Sequence, residues 1–271
     1  QVAITPDVKL KLDAIVQETK SDANSSMSVD RIDLEPLVGD RDVLKFGPEP
    51  LDSDIMFFGG TLDADLGFAT LTVATSFSSY DIEQGSDATV PLRPLFGGAV
   101  SSLTTNIDVD KFTQEVRLAS ATGGMFEWLV GGFYTSEESS YRQNVDLIGP
   151  DGEPFFTAIN VDIPSTFDEI AMFGDITFRP VEQFDITGGI RWAHNKQDFE
   201  QVLEIVGGPP PFETVGESDE NVVTWMVNAR YHLSPDVMFY GRIATGYRPG
   251  GPNVIFPGFE SASTFDADTL I

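Results

Sequence analysis

Cysteine is absent from the 271 residues, which rules out a disulfide framework, a thiolate metal site and a cysteine nucleophile. Histidine is nearly absent, with only His194 and His232, too few for a histidine-rich metal or haem centre. No apolar run reaches the roughly 18 residues of a transmembrane helix. Basic side chains are scarce, 16 Lys and Arg against 43 Asp and Glu, for a net charge of −27. Nucleic acid is therefore excluded as a partner, because phosphate recognition needs clustered Lys and Arg. Gln1–Leu10 lacks the basic end and apolar stretch of a signal peptide, so an export signal is expected to be missing from this sequence. There is no G-x-S-x-G, H-E-x-x-H or G-x-x-x-x-G-K motif, and no catalytic constellation, metal site or cofactor site is expected.

What is present is alternation. Nine segments switch apolar and polar residues with period two, the pattern of a strand with two different faces. In Val222–His232, Val223, Trp225, Val227, Ala229 and Tyr231 oppose Thr224, Met226, Asn228, Arg230 and His232. Segments at 169–179, 184–192 and 237–244 repeat this, and weaker ones fall near 7–19, 53–64, 68–80, 111–120 and 126–137. No segment reads as an amphipathic helix.

The connections alternate too. Short ones at 65–67, 121–125, 180–183 and 233–236 carry Gly, Pro or Asp, the residues tight turns require. Long ones are expected near 20–52, 81–110, 138–167 and 195–221, with a fifth after Tyr247. Compact soluble domains rarely carry so many long loops. Outer-membrane barrels do, with short periplasmic turns and long external loops. After residue 68 the apolar face bears no charge, whereas the other face holds Glu115, Arg117, Asp175, Arg191, Arg230 and Arg242. Phe178, Phe184, Tyr231 and Phe239 flank short turns, and Tyr80, Tyr134, Trp192 and Tyr247 sit near the far strand ends, as membrane girdles would. The acidity either keeps exposed loops solvated or gives those loops a cation-binding role.

Several stretches resemble TonB-dependent receptors of Gram-negative bacteria. Phe112–Ser120 (FTQEVRLAS) is similar to the recurrent F-[ST]-Q-E-[VIL]-R-L-[AS]-S strand, and Trp128–Tyr134 (WLVGGFY) to the strand after it. Ala171–Asp175 (AMFGD) and Asp185–Trp192 (DITGGIRW) resemble the A-x-F-G-[DE] and L-x-L-T-G-G-[LI]-R-[YW] hairpin. Gly246–Asn253 (GYRPGGPN) resembles the G-[YF]-[RK]-x-G-G-x-N segment leading into an extracellular loop. The five occur in family order over 112–253.

The resemblance implies an all-β, antiparallel up-and-down transmembrane barrel, of which residues 1–271 would be about nine strands of roughly 22. It implies an outer-membrane transporter of a scarce nutrient such as a ferric siderophore, haem, cobalamin or an oligosaccharide. Its partners would be outer-membrane lipid, a plug domain of the same full-length chain, the small-molecule nutrient, and the TonB complex engaging a segment N-terminal to this one. Neither plug nor TonB box is visible here, and the final Asp268–Ile271 lacks the aromatic of a last barrel strand, so the last strands are expected to be missing.

Glu115 and Arg117 would lie on the lumen face of one strand, lining a substrate path, touching the plug, or pairing with neighbouring strands. Arg191, Arg230 and Arg242 fall on the lumen faces of successive strands and would hold an anionic substrate or plug carboxylates, or balance charge inside the barrel. Gly246, Tyr247, Arg248, Gly250, Gly251 and Asn253 would shape the loop they open rather than bind ligand. Asp63–Gly67 faintly resembles a calcium loop but lacks the distal Glu, and reads as a hairpin turn. Two alternatives share the strand pattern: a soluble secreted lectin- or adhesin-like β module, and a passive porin.

Overall fold

A computed structural model describes residues 2–23, 28–30, 32–39, 45–253 and 264–270. Parts of the expected 20–52 connection, of the loop after Tyr247, and Ile271 lie outside the described residues. Ten strands form one sheet, each pairing antiparallel with the next in sequence. They are β1 (Val2–Thr5), β2 (Val8–Ser21), β3 (Leu51–Asp65), β4 (Ala69–Asp87), β5 (Ser101–Ser120), β6 (Phe126–Ile148), β7 (Pro154–Val181), β8 (Phe184–Ile205), β9 (Phe212–Ser234) and β10 (Val237–Ala244). A single helical turn, α1 (Arg93–Phe96), lies between β4 and β5. After β10, β11 (Gly246–Arg248) pairs with β14 (Asp268–Leu270), and β12 (Gly251–Pro252) with β13 (Thr264–Phe265).

The nine alternating segments are all strands, and β1 is a tenth. Its four residues, Val-Ala-Ile-Thr, are too few for a period to register. The expected short turns are present. At Asp63–Gly67 the chain makes a hairpin, with Gly67 at φ 85° and its N–H donated to Asp65 Oδ1 at 2.8 Å. The expected long loops are mostly not loops. Residues 81–87 and 101–110 belong to β4 and β5, and the expected 138–167 and 195–221 loops shrink to 149–153 and 206–211. The ladder simply continues: Arg142 pairs with Asn106 and Asp162, and Glu200 with Val215. Apolar–polar alternation fades where both faces meet polar surroundings, while the backbone still gains by pairing. β7, with 28 residues, extends roughly 90 Å at about 3.3 Å per residue, far more than the 9–11 residues that cross a bilayer.

Burial is inverted relative to a soluble protein. Of the eight buried hydrophobic residues among those described, five are alanine. Directly opposed residues share a face, and the registers assign every strand. Val223, Trp225, Val227 and Tyr231 are exposed, as are Ile190, Trp192, Ile170, Met172, Ile176, Val130 and Val116. The opposite face holds the buried polar groups Asp185, Thr187, Asn195 and Thr135. In a one-layer sheet side chains become buried by converging on a concave face, so this face is the inner one. The soluble-module alternative is thereby excluded.

The apolar outer band ends abruptly. Along β9 the outer face runs Glu217, Asp219, Asn221 and then Val223, Trp225, Val227. On β8 the change comes at His194, and on β7 between Asp168 and Ile170. His194 is thus a band-edge residue inside β8. Phe126 and Phe178 stack at 4.9 Å near the short turns, and Tyr134 donates to Asp168 Oδ1 at the far rim, at 3.1 Å. Tyr80 is opposed by Ile55 and Val109 on the inner face, so it does not belong to a girdle.

Above the band, residues 45–49 are fastened to β4. Asp87 accepts from the backbone N–H groups of Phe46, Gly47 and Thr89. Burial pushes its carboxyl up, but these donors outweigh it and hold the group below the ordinary 3.8. A depressed folded value means the anchor is complete above that pH and is lost as pH falls through the folded value. Asp87→Ala should therefore speed tryptic cleavage after Lys45 several-fold at neutral pH, and unchanged cleavage would refute the anchor. For the band, Val130→Arg should cost about 2–4 kcal/mol in refolding into vesicles, while Val130→Leu stays within about 1 kcal/mol. Equal costs would show that Val130, 50% exposed, does not face lipid.

Candidate functional site

The inner face between the short turns and the band edge is a lattice of paired charges. Glu115 and Arg117, two apart on β5, bind each other, Nε to Oε1 at 2.8 Å; the expectation of partners on neighbouring strands is corrected to a pair along one strand. Arg191 reaches Glu169 on β7 and lies over the Phe133 ring, 5.9 Å from its centroid. Arg230 opposes Asp185 directly and donates to it at 2.7 Å. Arg179 pairs with Glu127 at 2.7 Å. Lys111 pairs with Glu137, well inside β6, at 3.0 Å.

Arg242 differs. On edge strand β10 it opposes Asn228 and forms no salt bridge among the described residues. It lines a cavity of about 370 Å³ with Asp175, Arg191, Thr224, Met226 and Thr245.

The three arginines on β8, β9 and β10 share a face but not a site. Arg191 opposes Thr224, six residues along β9 from Arg230, roughly 20 Å at strand rise. Only Arg191 and Arg242 border one cavity.

The segment after β10 folds back over the inner face of β9. Tyr247 donates to Glu220 Oε2 at 2.5 Å and accepts from Asn195 Nδ2 at 2.7 Å. Burial, then Glu220, pushes the Tyr247 phenol well above its ordinary value, so it stays a donor throughout the physiological range. Gly250 donates its N–H to the same Glu220 oxygen, and a Cβ there would lie 2.5 Å from Glu220 Oε1 and 2.7 Å from the Phe265 carbonyl oxygen. Only glycine fits. Gly246 and Arg248 belong to β11, Arg248 pairs with Asp268, Gly251 packs beside Gln197 and Phe265, and Asn253 is half-buried beyond β12. The described residues of this segment form a strap over β9. Tyr247 points inward, not into a lipid girdle. Sequence reasoning missed Asn195 and Glu220, since neither belongs to a motif.

Carboxylates crowd the outer rim. Glu18, Asp54, Asp81 and Asp108 are successive cross-strand neighbours, an arrangement that repels. Oxygens of Glu18, Asp52 and Asp54 lie within 4.8 Å of one another, and Lys20 bridges two of the three at 2.9 and 3.1 Å. Lys20 therefore already supplies the cation that this cluster favours.

A one-layer antiparallel sheet with a lipid-facing band, charge-paired inner face and strapped outer end is the wall of an outer-membrane barrel. The family described as TonB dependent receptor-like, beta-barrel, matches residues 20–269, and the chain belongs to it. A pesticin receptor of Yersinia enterocolitica is 33% identical over 161 residues, 58% of this chain and 22% of that receptor. The ferric yersiniabactin uptake receptor FyuA of Yersinia pestis superposes with a TM-score of 0.76 at 17% identity, over 97% of this chain and 38% of that one. The siderophore receptor PiuA of Acinetobacter baumannii gives 0.65 at 14% identity, covering 90% and 40%. The chain thus spans well under half of the proteins it matches. These relatives are outer-membrane receptors rather than enzymes, and the outer membrane is where this wall resides.

Asp185 is only 2% exposed, so Arg230→Ala would strand a buried carboxylate. A loss of about 1–3 kcal/mol is expected in denaturant unfolding. Arg117→Ala, at a half-exposed pair, should cost under about 1 kcal/mol. The reverse order would overturn the assignment.

Proposed function

We propose that this chain forms barrel wall, lumen lining and extracellular rim of an active transport receptor that takes up a scarce nutrient, with a ferric siderophore as first candidate. The observation that carries the reading is the inner face. Most of its charges are paired within the wall, as suits a lumen holding another body, and Arg242 alone of the five candidate lumen residues forms no salt bridge among the described residues. Membership of the TonB-dependent receptor family supports a plug domain from the same full-length chain inside this wall, and energy delivered through TonB. Arg242 would then meet a plug carboxylate or the passing substrate. Three matched structures are, by their names, siderophore or ferric-siderophore receptors, which favours iron over the other nutrients.

The test is uptake of radioactive iron, presented as chelates, by iron-starved cells carrying the full-length receptor, with and without TonB. Uptake should require TonB, and Arg242→Ala should lower it about tenfold or more, the scale of one charge-assisted contact, with receptor abundance in the membrane unchanged. Equal uptake without TonB would favour the passive porin instead.

A further inference from the structure

Above the band edge the faces of the sheet exchange character. Along the inner face, the row Gln84, Thr105, Gln143, Val161, Leu203 and Phe212 runs strand to strand across β4–β9 in direct register. One residue away, the outer row reads Glu83, Asn106, Arg142, Asp162, Val202 and Glu213. The contrast holds for the neighbouring inner rows as well. Ile82, Ile107, Tyr141 and Ile163 form one, Leu103, Val145, Ile159 and Ile205 another, and Tyr80, Val109, Ser139, Ser165 and Phe199 a third. None of these inner positions is charged. The nearest inner charges lie at the floor, where Lys111 and Glu137 neutralise each other at 3.0 Å.

A chain with 43 acidic residues does not keep such a wall free of charge merely to stay soluble, because solvation is served by the outer face. A polyanionic chelate would need fixed cations here to replace its lost hydration, and the described rows offer amides, hydroxyls, aliphatic groups, two phenyl rings and two phenols. We propose that the extracellular vestibule of this receptor selects a ligand with no net charge and an apolar or aromatic periphery. A trianionic chelate is rejected by these cation-free inner rows of the described strands and by the acidic rim outside. This inference rests on the transport reading above and specifies the substrate class of that same path.

The test measures binding to the full-length receptor in outer-membrane vesicles. The probes are ferric chelates matched in size, an uncharged ferric trihydroxamate and a trianionic ferric tricatecholate, and an uncharged oligosaccharide. The uncharged chelate should bind at least about tenfold more tightly than the trianion. Val161→Asp should weaken it by about tenfold or more, while Asn160→Asp, the adjacent residue on the outer face, leaves it within about twofold. Gln143→Glu changes no volume and should act like Val161→Asp, so a folding defect in the latter does not decide the result. Tighter binding of the trianion, or equal effects of the inner and outer substitutions, would overturn the inference and leave the transport reading standing. Binding of the oligosaccharide alone would sustain the uncharged class and remove iron from the proposed function. If no probe binds, both fall.

Discussion

A backbone that crosses hydrocarbon has nowhere to send its N–H and C=O groups except to another strand. That constraint organises the protein. Each strand from β2 to β9 is bonded on both sides by its sequence neighbours, which fixes an up-and-down order and leaves no place for a crossover. Side-chain packing plays a smaller part, since the few buried apolar residues are mostly alanine. The outer face needs only to match lipid, so Val, Ile, Trp and Met serve interchangeably there. The inner face must satisfy polar groups in a crowded concavity, and pairs such as Arg230–Asp185 and Arg179–Glu127 do so.

The ladder outlasts the membrane. Once strands are in register, extending them adds hydrogen bonds without new loop closure, and β6 to β9 continue far beyond the apolar band. Lipid no longer dictates polarity in that extension, so the outer face becomes acidic and the inner face becomes neutral. A single strand such as β9 therefore carries three chemistries on one backbone: a lipid-facing band, a polar lumen face, and a rim whose faces are sorted for water outside and for a ligand within. The strap formed after β10 lies against this junction, held by Glu220 and Asn195 through Tyr247.

Much of this was legible in the residues. Period-two alternation located nine of the ten main strands, because a face in lipid and a face in a polar lumen impose opposite demands at every second position. The close backbone approach at Gly250 was legible too, since glycine marks approaches that no side chain permits. The extensions of β6 to β9 were not, because alternation weakens where both faces meet polar surroundings. The shared face of Arg191, Arg230 and Arg242 followed from parity alone, but their partners did not. Glu169 and Asp185 are ordinary acidic residues until the register sets them beside arginines, and nothing local to Arg242 distinguishes it from its paired counterparts.

By itself, then, the sequence determined the alternation of the apolar band, the four short turns, and the family to which the wall belongs, since each is written in local stretches of residues. The tertiary structure alone decided how far the strands run, which charges cancel, and that Asn195 and Glu220 hold the strap. It also assembled uncharged residues from six strands into one wall above the lumen. Those outcomes depend on cross-strand register, which hydrogen bonding sets between segments distant along the chain and no local pattern encodes.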